Sequence, residues 1–188
     1  VSYFEILKFG GGTPIMIDTE IENDFKVTAA QLEKHITPKT RMMIFSTPCN
    51  PTGSVYSKQE LREIADVIKK YDELYIISDE IYEHINFVGG HESMAQFADI
   101  KDRVITINGV SKGFAMTGWR GGIMAAPKWI AQACDKMQGQ FTSGTCSITQ
   151  KAMHAAMDLP AESTYYMRDA FLKRRNLVLE LMKDIPGF

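Results

Sequence analysis

Long apolar runs are missing: stretches such as residues 42–45 and 74–77 fall far short of the roughly twenty residues a membrane-spanning helix needs. No charged-then-apolar leader opens the sequence. Cysteine is scarce. Cys49, Cys134 and Cys146 stand at no metal-ligand spacing, and an odd count argues against a secreted disulfide framework. A reducing, cytoplasmic setting is expected. His35, His84, His91 and His154 form no spaced ligand cluster, so they read as surface or packing residues and no metal site is expected. An excess of positive charge is also lacking: 21 Lys and Arg stand against 23 Asp and Glu, a net charge of −2. That balance supplies no basic field for nucleic acid or an anionic membrane, which leaves a small molecule as the expected partner. Repeats, low-complexity tracts and flexible linkers are absent too, so residues 1–188 read as one domain. The first residue is Val1 rather than methionine, which suggests a processed chain or an excised piece of a longer one.

What is present is an ordinary globular balance, 45% hydrophobic and 23% charged over 188 residues. Residues 13–18 form a short β-like run. Thr28-Ala29-Ala30-Gln31 then matches a capping box, with Leu32 and Ile36 four apart behind it. Met42–Ser46 reads as an apolar strand halted near Pro48. Ser57-Lys58-Gln59-Glu60 is a second capping box, followed by Leu61, Ile64, Ala65 and Ile68 on one helical face. Further buried-looking strands are expected at residues 74–78, 103–107 and 121–125. Beyond Pro127 the pattern is helical over residues 128–140, 147–157 and 160–184. Strands apolar on both faces, alternating with capped amphipathic helices, predict an α/β fold with a doubly wound, largely parallel sheet and flanking helices.

In such sheets ligands bind beyond the carboxyl ends of the strands, so the residues just after each strand carry the functional signal. After the strand at 42–46 comes Asn50-Pro51-Thr52-Gly53; after that at 74–78, Asp79-Glu80-Ile81-Tyr82; after that at 103–107, Ser111 and Lys112. Arg120 heads the next strand. Alone, Asn50-Pro51-Thr52-Gly53 is a good turn, a strand-end aspartate is commonly a cap, and a lone lysine is commonly a solvated charge. All four segments in one order at the strand ends of one sheet is a far less ordinary coincidence. Together they resemble the signature set of class I and II aminotransferases among the fold-type I pyridoxal 5′-phosphate (PLP) enzymes. The stretch Phe114-Ala115-Met116-Thr117-Gly118-Trp119-Arg120 is most similar to bacterial aspartate aminotransferases.

The resemblance implies a role for each motif residue. Lys112 would hold PLP through its amine and shuttle a proton at the substrate, and Asp79 would face the pyridine nitrogen. Tyr82 and Asn50 would hydrogen-bond the ring's phenolic oxygen, while Ser111 and Arg120 would bind the phosphate. Lys112, Asp79 and Tyr82 are thus the expected catalytic residues. The implied reaction moves an amino group between an amino acid, expected to be aspartate, and a 2-oxo acid. Phe141-Thr142-Ser143-Gly144 resembles the stretch that reaches the neighbouring subunit's cofactor, which implies a homodimer. By the same resemblance, the glycine-rich phosphate loop and ring-stacking aromatic would precede Val1, and a small domain would follow Phe188. On that reading the chain is a large-domain segment, inactive alone. A PLP-dependent lyase or decarboxylase of the same fold, or a non-catalytic PLP-binding fragment, would carry the same residues.

Overall fold

The computed structural model describes residues 2–187. Its sheet has four strands in the order of the chain: Met42–Ser46 (β1), Tyr75–Asp79 (β2), Val104–Gly109 (β3) and Gly122–Ala125 (β4). β1, β2 and β3 run parallel, with Phe45 opposite Ser78 and Ser78 opposite Thr106, while β4 returns antiparallel with Gly122 opposite Gly109. The α/β class and the largely parallel sheet expected from the sequence are therefore present. The helices are Ser2–Phe9 (α1), Ala29–His35 (α2), Lys58–Lys69 (α3), Lys128–Phe141 (α4), Ser147–Met157 (α5) and Tyr165–Met182 (α6). None is long and apolar enough to cross a membrane among the described residues.

Both capping boxes close as the sequence predicts. Ser57 Oγ accepts from the Glu60 amide while the Glu60 carboxylate accepts from the Ser57 amide at 2.7 Å, so two amides left over at the start of α3 are satisfied. Thr28 and Gln31 do the same for α2. Behind its cap, α3 turns Leu61, Ile64, Ala65 and Ile68 into a core shared with Leu32, Phe45, Leu74, Ile76 and Val104. This face is where burial stabilises the fold, each large apolar side chain removed from water contributing about 1.5–3 kcal/mol.

The period of two in β2 sorts its residues cleanly. Ile76 and Ser78 point into that core and are fully buried, while Tyr75, Ile77 and Asp79 point to the other face and are only half-buried. On this second face the Trp129 ring of α4 meets Tyr75 edge-on at 5.8 Å, so helices approach the sheet from both sides. α5 supplies Met153 and Ala156 to a smaller cluster with Val110, Phe114 and Ile123.

Two expectations are corrected. Residues 13–18 form no strand. No neighbouring strand pairs with them, Ile15 and Met16 lie in solvent, and only Ile17 packs against the core. The helix α1 ahead of them has no buried stripe that would announce it. The stretch at 160–184 is a short 3-10 turn, Ala161–Thr164, leading into α6.

On the solvent side of α3, Arg62 grips Asp99 with two nitrogens at 2.9 and 3.0 Å, and Lys69 adds a contact at 3.3 Å. The Arg62 bond comes first in holding the Asp99 carboxyl down, to about 2 from 3.8. A carboxyl depressed on folding contributes stability above its unfolded value and loses it as pH falls through the folded value. This pair should therefore stabilise fully above 3.8 and fade toward about 2. Acid titration of the thermal midpoint checks it: Asp99→Asn is expected to flatten the decline within that window and leave the midpoint's slope at higher pH unchanged.

Candidate active site

The parallel register brings the motif residues to one edge. Ser46 pairs with Asp79 and Asp79 with Ile107, so β1, β2 and β3 end side by side. Because β4 is antiparallel, its head lies at that same edge. Ser111 stands two residues after Gly109 and Arg120 two residues before its partner Gly122.

After β1, the loop folds on itself: Gly53 donates its amide to the Cys49 carbonyl and Cys49 donates to the Ser54 carbonyl, both at 2.9 Å. Gly53 adopts φ 74°, a left-handed conformation that suits glycine, and the peptides before Pro48 and Pro51 are cis. The loop presents Asn50, whose Nδ2 donates to the Tyr82 hydroxyl at 3.0 Å. Tyr82 sits on the turn after β2. Lys112, half-buried on the turn after β3, places its Nζ 5.7 Å from the centre of the Tyr82 ring. Three segments far apart in sequence thus meet at one point.

Asp79 ends β2 on the half-open face, where its Oδ1 accepts from the Ile81 amide at 3.2 Å. Its Oδ2 accepts from the Tyr3 hydroxyl at 2.6 Å. Burial first, and then the Asp79 bond, push the Tyr3 phenol well above its ordinary range, so it remains a donor. Tyr3 was not among the residues the sequence singles out, since its contact spans 76 positions and no local pattern announces it.

The turns after β2 and β3 also lock onto each other. A Cβ on Gly113 would stand 2.6 Å from the His84 ring, so only glycine lets the Lys112 turn close on that histidine. The His84 ring in turn meets Phe114 edge-on at 5.2 Å. His84 is a packing residue, as expected, but it packs beneath the site.

Arg120 is placed differently from its neighbours. It is exposed and left-handed at φ 53°, and its Nη1 donates to the Thr117 carbonyl at 3.0 Å. The topology brings it to the edge, but its guanidinium is directed to its own turn. A non-glycine residue held in this backbone region stores strain of the kind that gathers at binding sites. A cleft of about 370 Å³, lined by His84, Asn108, Gly109, Val110 and Phe114 among others, lies among neighbours of the motif residues rather than among the motif residues themselves. Of the four histidines, His91 is half-buried against Glu80, and no cluster of metal-ligating groups occurs among the described residues.

An amine, a carboxylate, a phenol with its amide partner, a hydroxyl and a guanidinium thus gather at the carboxyl edge of a mostly parallel sheet, the place where α/β proteins bind their ligands. The comparisons give that class its family. The family model for aminotransferase class I and II matches residues 1–188, and the chain belongs to that family. It is 43% identical over its whole length to the bifunctional aspartate aminotransferase and glutamate/aspartate-prephenate aminotransferase of Petunia hybrida, covering 40% of that protein. It is 41% identical to the aspartate aminotransferase of Geobacillus stearothermophilus, of which it covers 48%. The crystal structure of the aspartate aminotransferase from Rhizobium meliloti superposes with a TM-score of 0.95 at 35% identity, over 99% of this chain and 47% of that one. The chain thus spans somewhat less than half the length of these relatives.

Proposed function

We propose that this chain is the PLP-binding large-domain segment of an aminotransferase that moves an amino group between aspartate and a 2-oxo acid. Family membership supports the cofactor, because class I and II aminotransferases depend on PLP. The names of the relatives support aspartate. The observation that carries the reading is the meeting of Asn50, Tyr82 and Lys112 from three separate segments, beside Asp79.

The donor set fits PLP. When bound, that group supplies an electron sink for chemistry at an amino acid's α-carbon. Lys112 would hold it through the amine and, once released, carry a proton to and from that carbon. Asp79 would keep a proton on the ring nitrogen, since a nearby carboxylate favours the positive form. An ionised carboxylate offers about four acceptor positions. Tyr3 and the Ile81 amide use two at Asp79, which leaves room for the ring. Tyr82, oriented by Asn50, would donate to the ring oxygen, and Ser111 and Arg120 would take the phosphate, Arg120 after turning from Thr117. The whole enzyme is read as a cytoplasmic homodimer, with residues 141–144 reaching toward the partner's site.

The test is an assay of the full-length enzyme with aspartate and 2-oxoglutarate, in which oxaloacetate and glutamate should form in equal amounts. Consumption of amino acid without need of a 2-oxo acid would overturn this reading in favour of a lyase or decarboxylase. The 188-residue chain alone should turn over at less than about a tenth of the full-length rate, about 1.4 kcal/mol or more in barrier. α4 and α6 bury no side chain of their own and leave Trp129, Met137, Phe141, Leu177 and Leu181 in solvent, faces that call for cover.

A further inference from the structure

Glu80, next to Asp79, is 2% exposed and has no part in the chemistry above. Neighbouring residues of an extended chain point to opposite faces. Asp79 accordingly meets Tyr3 on the half-open face, while Glu80 follows Ile76 and Ser78 toward the core face. There its Oε1 accepts from the Ser78 and Ser93 hydroxyls, both at 2.9 Å, and from the Met94 amide at 3.4 Å. Its Oε2 lies 2.8 Å from His91 Nε2, and the His91 side chain is itself only 14% exposed. The tautomer with hydrogen on Nε2 lets His91 donate to the carboxylate and leaves only a lone pair at Nδ1, which is buried without a partner.

A carboxylate this deep is costly unless donors surround it, and replacing it with apolar packing is often neutral or stabilising. Stability alone is therefore a weak reason for it. Its position supplies a better one. The Glu80 amide donates to Ile107 of β3 at 2.8 Å and its carbonyl accepts from the Glu83 amide at 3.0 Å, so the residue is fixed at backbone and side chain together. The peptide joining Asp79 to Glu80 cannot rotate without breaking that set, and the turn leading to Tyr82 starts from it.

We propose that Glu80 is a positioning residue of the cofactor site: buried beneath the sheet edge and held by Ser78, His91 and Ser93, it fixes the direction of Asp79 and the placement of Tyr82. The proposal rests on the functional reading above, in which both those residues touch the cofactor. It assigns the loop at residues 91–94 a part in the site although no side chain there reaches the motif edge.

The experiment compares Glu80→Gln and Glu80→Ala with wild type and with Ile64→Ala, a core substitution on α3 away from the site, all in the full-length enzyme. Four quantities are read: the thermal midpoint of the apoenzyme, amide exchange over residues 79–85, the pH midpoint of the bound cofactor's absorption, and kcat and KM for aspartate. Glu80→Ala should lower kcat about tenfold or more with KM little changed, within the hundredfold that a misplacement of about an ångström can cost. The absorption midpoint should move by about half a unit or more, because the groups that bias the bound cofactor's charge have shifted. Exchange over 79–85 should quicken in the apoenzyme. Glu80→Gln should show the same changes to a smaller degree, and it decides alone if the alanine variant does not fold. Ile64→Ala should lower only the thermal midpoint. If both Glu80 variants behave like Ile64→Ala, with absorption midpoint, kcat and 79–85 exchange as in wild type, Glu80 is structural only and the proposal falls. A wild-type enzyme that neither takes up PLP nor transaminates overturns the functional reading instead, and apoenzyme exchange then still judges whether Glu80 anchors the turn.

Discussion

Replacing Lys112 with alanine in the full-length enzyme is expected to lower turnover by about 10²–10⁴ through loss of the proton carrier alone, and further through loss of the covalent hold on the cofactor. Three other lysines are held in ion pairs: Lys26 with Glu60 at 2.6 Å, Lys70 with Glu33 at 2.7 Å and Lys69 with Asp99 at 3.3 Å. Among the described residues no carboxylate lies within ion-pairing distance of Lys112, whose amine instead stands beside the Tyr82 ring. Lys112 is half-buried, at the carboxyl edge of the sheet, and its amine is close to the group that would orient a ring oxygen. Borohydride reduction of the wild-type holoenzyme followed by peptide mapping reads the same assignment without relying on activity. The pyridoxyl label should be recovered on Lys112. Recovery on Lys128, which opens α4, or on any other lysine would sink it.

The parts of the structure legible in the sequence are those written in local chemistry. α3 could be placed from Ser57, Glu60 and the spacing of its apolar face, because cap and stripe lie within one helix. β1 and α5 fall at their expected bounds, Met42–Ser46 and Ser147–Met157, because an apolar run and a helical pattern are likewise local signals. The direction of β4 was not legible. A run such as Gly122–Ala125 pairs either way, and its antiparallel course decides that Arg120 comes to the site edge. The motif residues were legible as a set because each stands at or near the end of a strand, but their mutual geometry was not. Asn50 reaching Tyr82 is a contact across 32 positions. Tyr3 reaching Asp79 is the extreme case, and α1, which carries it, has no buried residue to mark it as part of the fold. His91 could be read only as a surface or packing residue, since nothing local reveals that its partner is the buried Glu80.

Asp79→Ala in the full-length enzyme should cut turnover by about 10²–10³, the usual cost of removing one preorganised charge partner from a reacting group, while weakening PLP binding much less. The asymmetry follows from what the carboxylate does. It is held from two sides, by the Tyr3 hydroxyl at 2.6 Å and the Ile81 amide at 3.2 Å, and so presents a fixed acceptor rather than a mobile charge. On the proposed reading it would hold a proton on the ring nitrogen most strongly as charge develops there, and interactions stronger in the transition state than in the ground state act on turnover. Asp79→Asn should resemble the alanine variant, since a neutral amide cannot stabilise the positive ring nitrogen. Arg120→Ala should show the opposite emphasis, a weaker hold on the phosphate with a smaller loss of turnover once PLP is saturating. Tyr3→Phe removes one donor to the charged group and leaves the carboxylate in place. Hydrogen bonds of that kind are worth about 1.5–3 kcal/mol, so an intermediate loss of roughly tenfold or more is expected. The measurement is kcat at saturating PLP beside the PLP dissociation constant for all four variants. An unchanged turnover number in Asp79→Ala would mean that the carboxylate does not face the ring, and the losses in Asp79→Asn and Tyr3→Phe should then vanish with it.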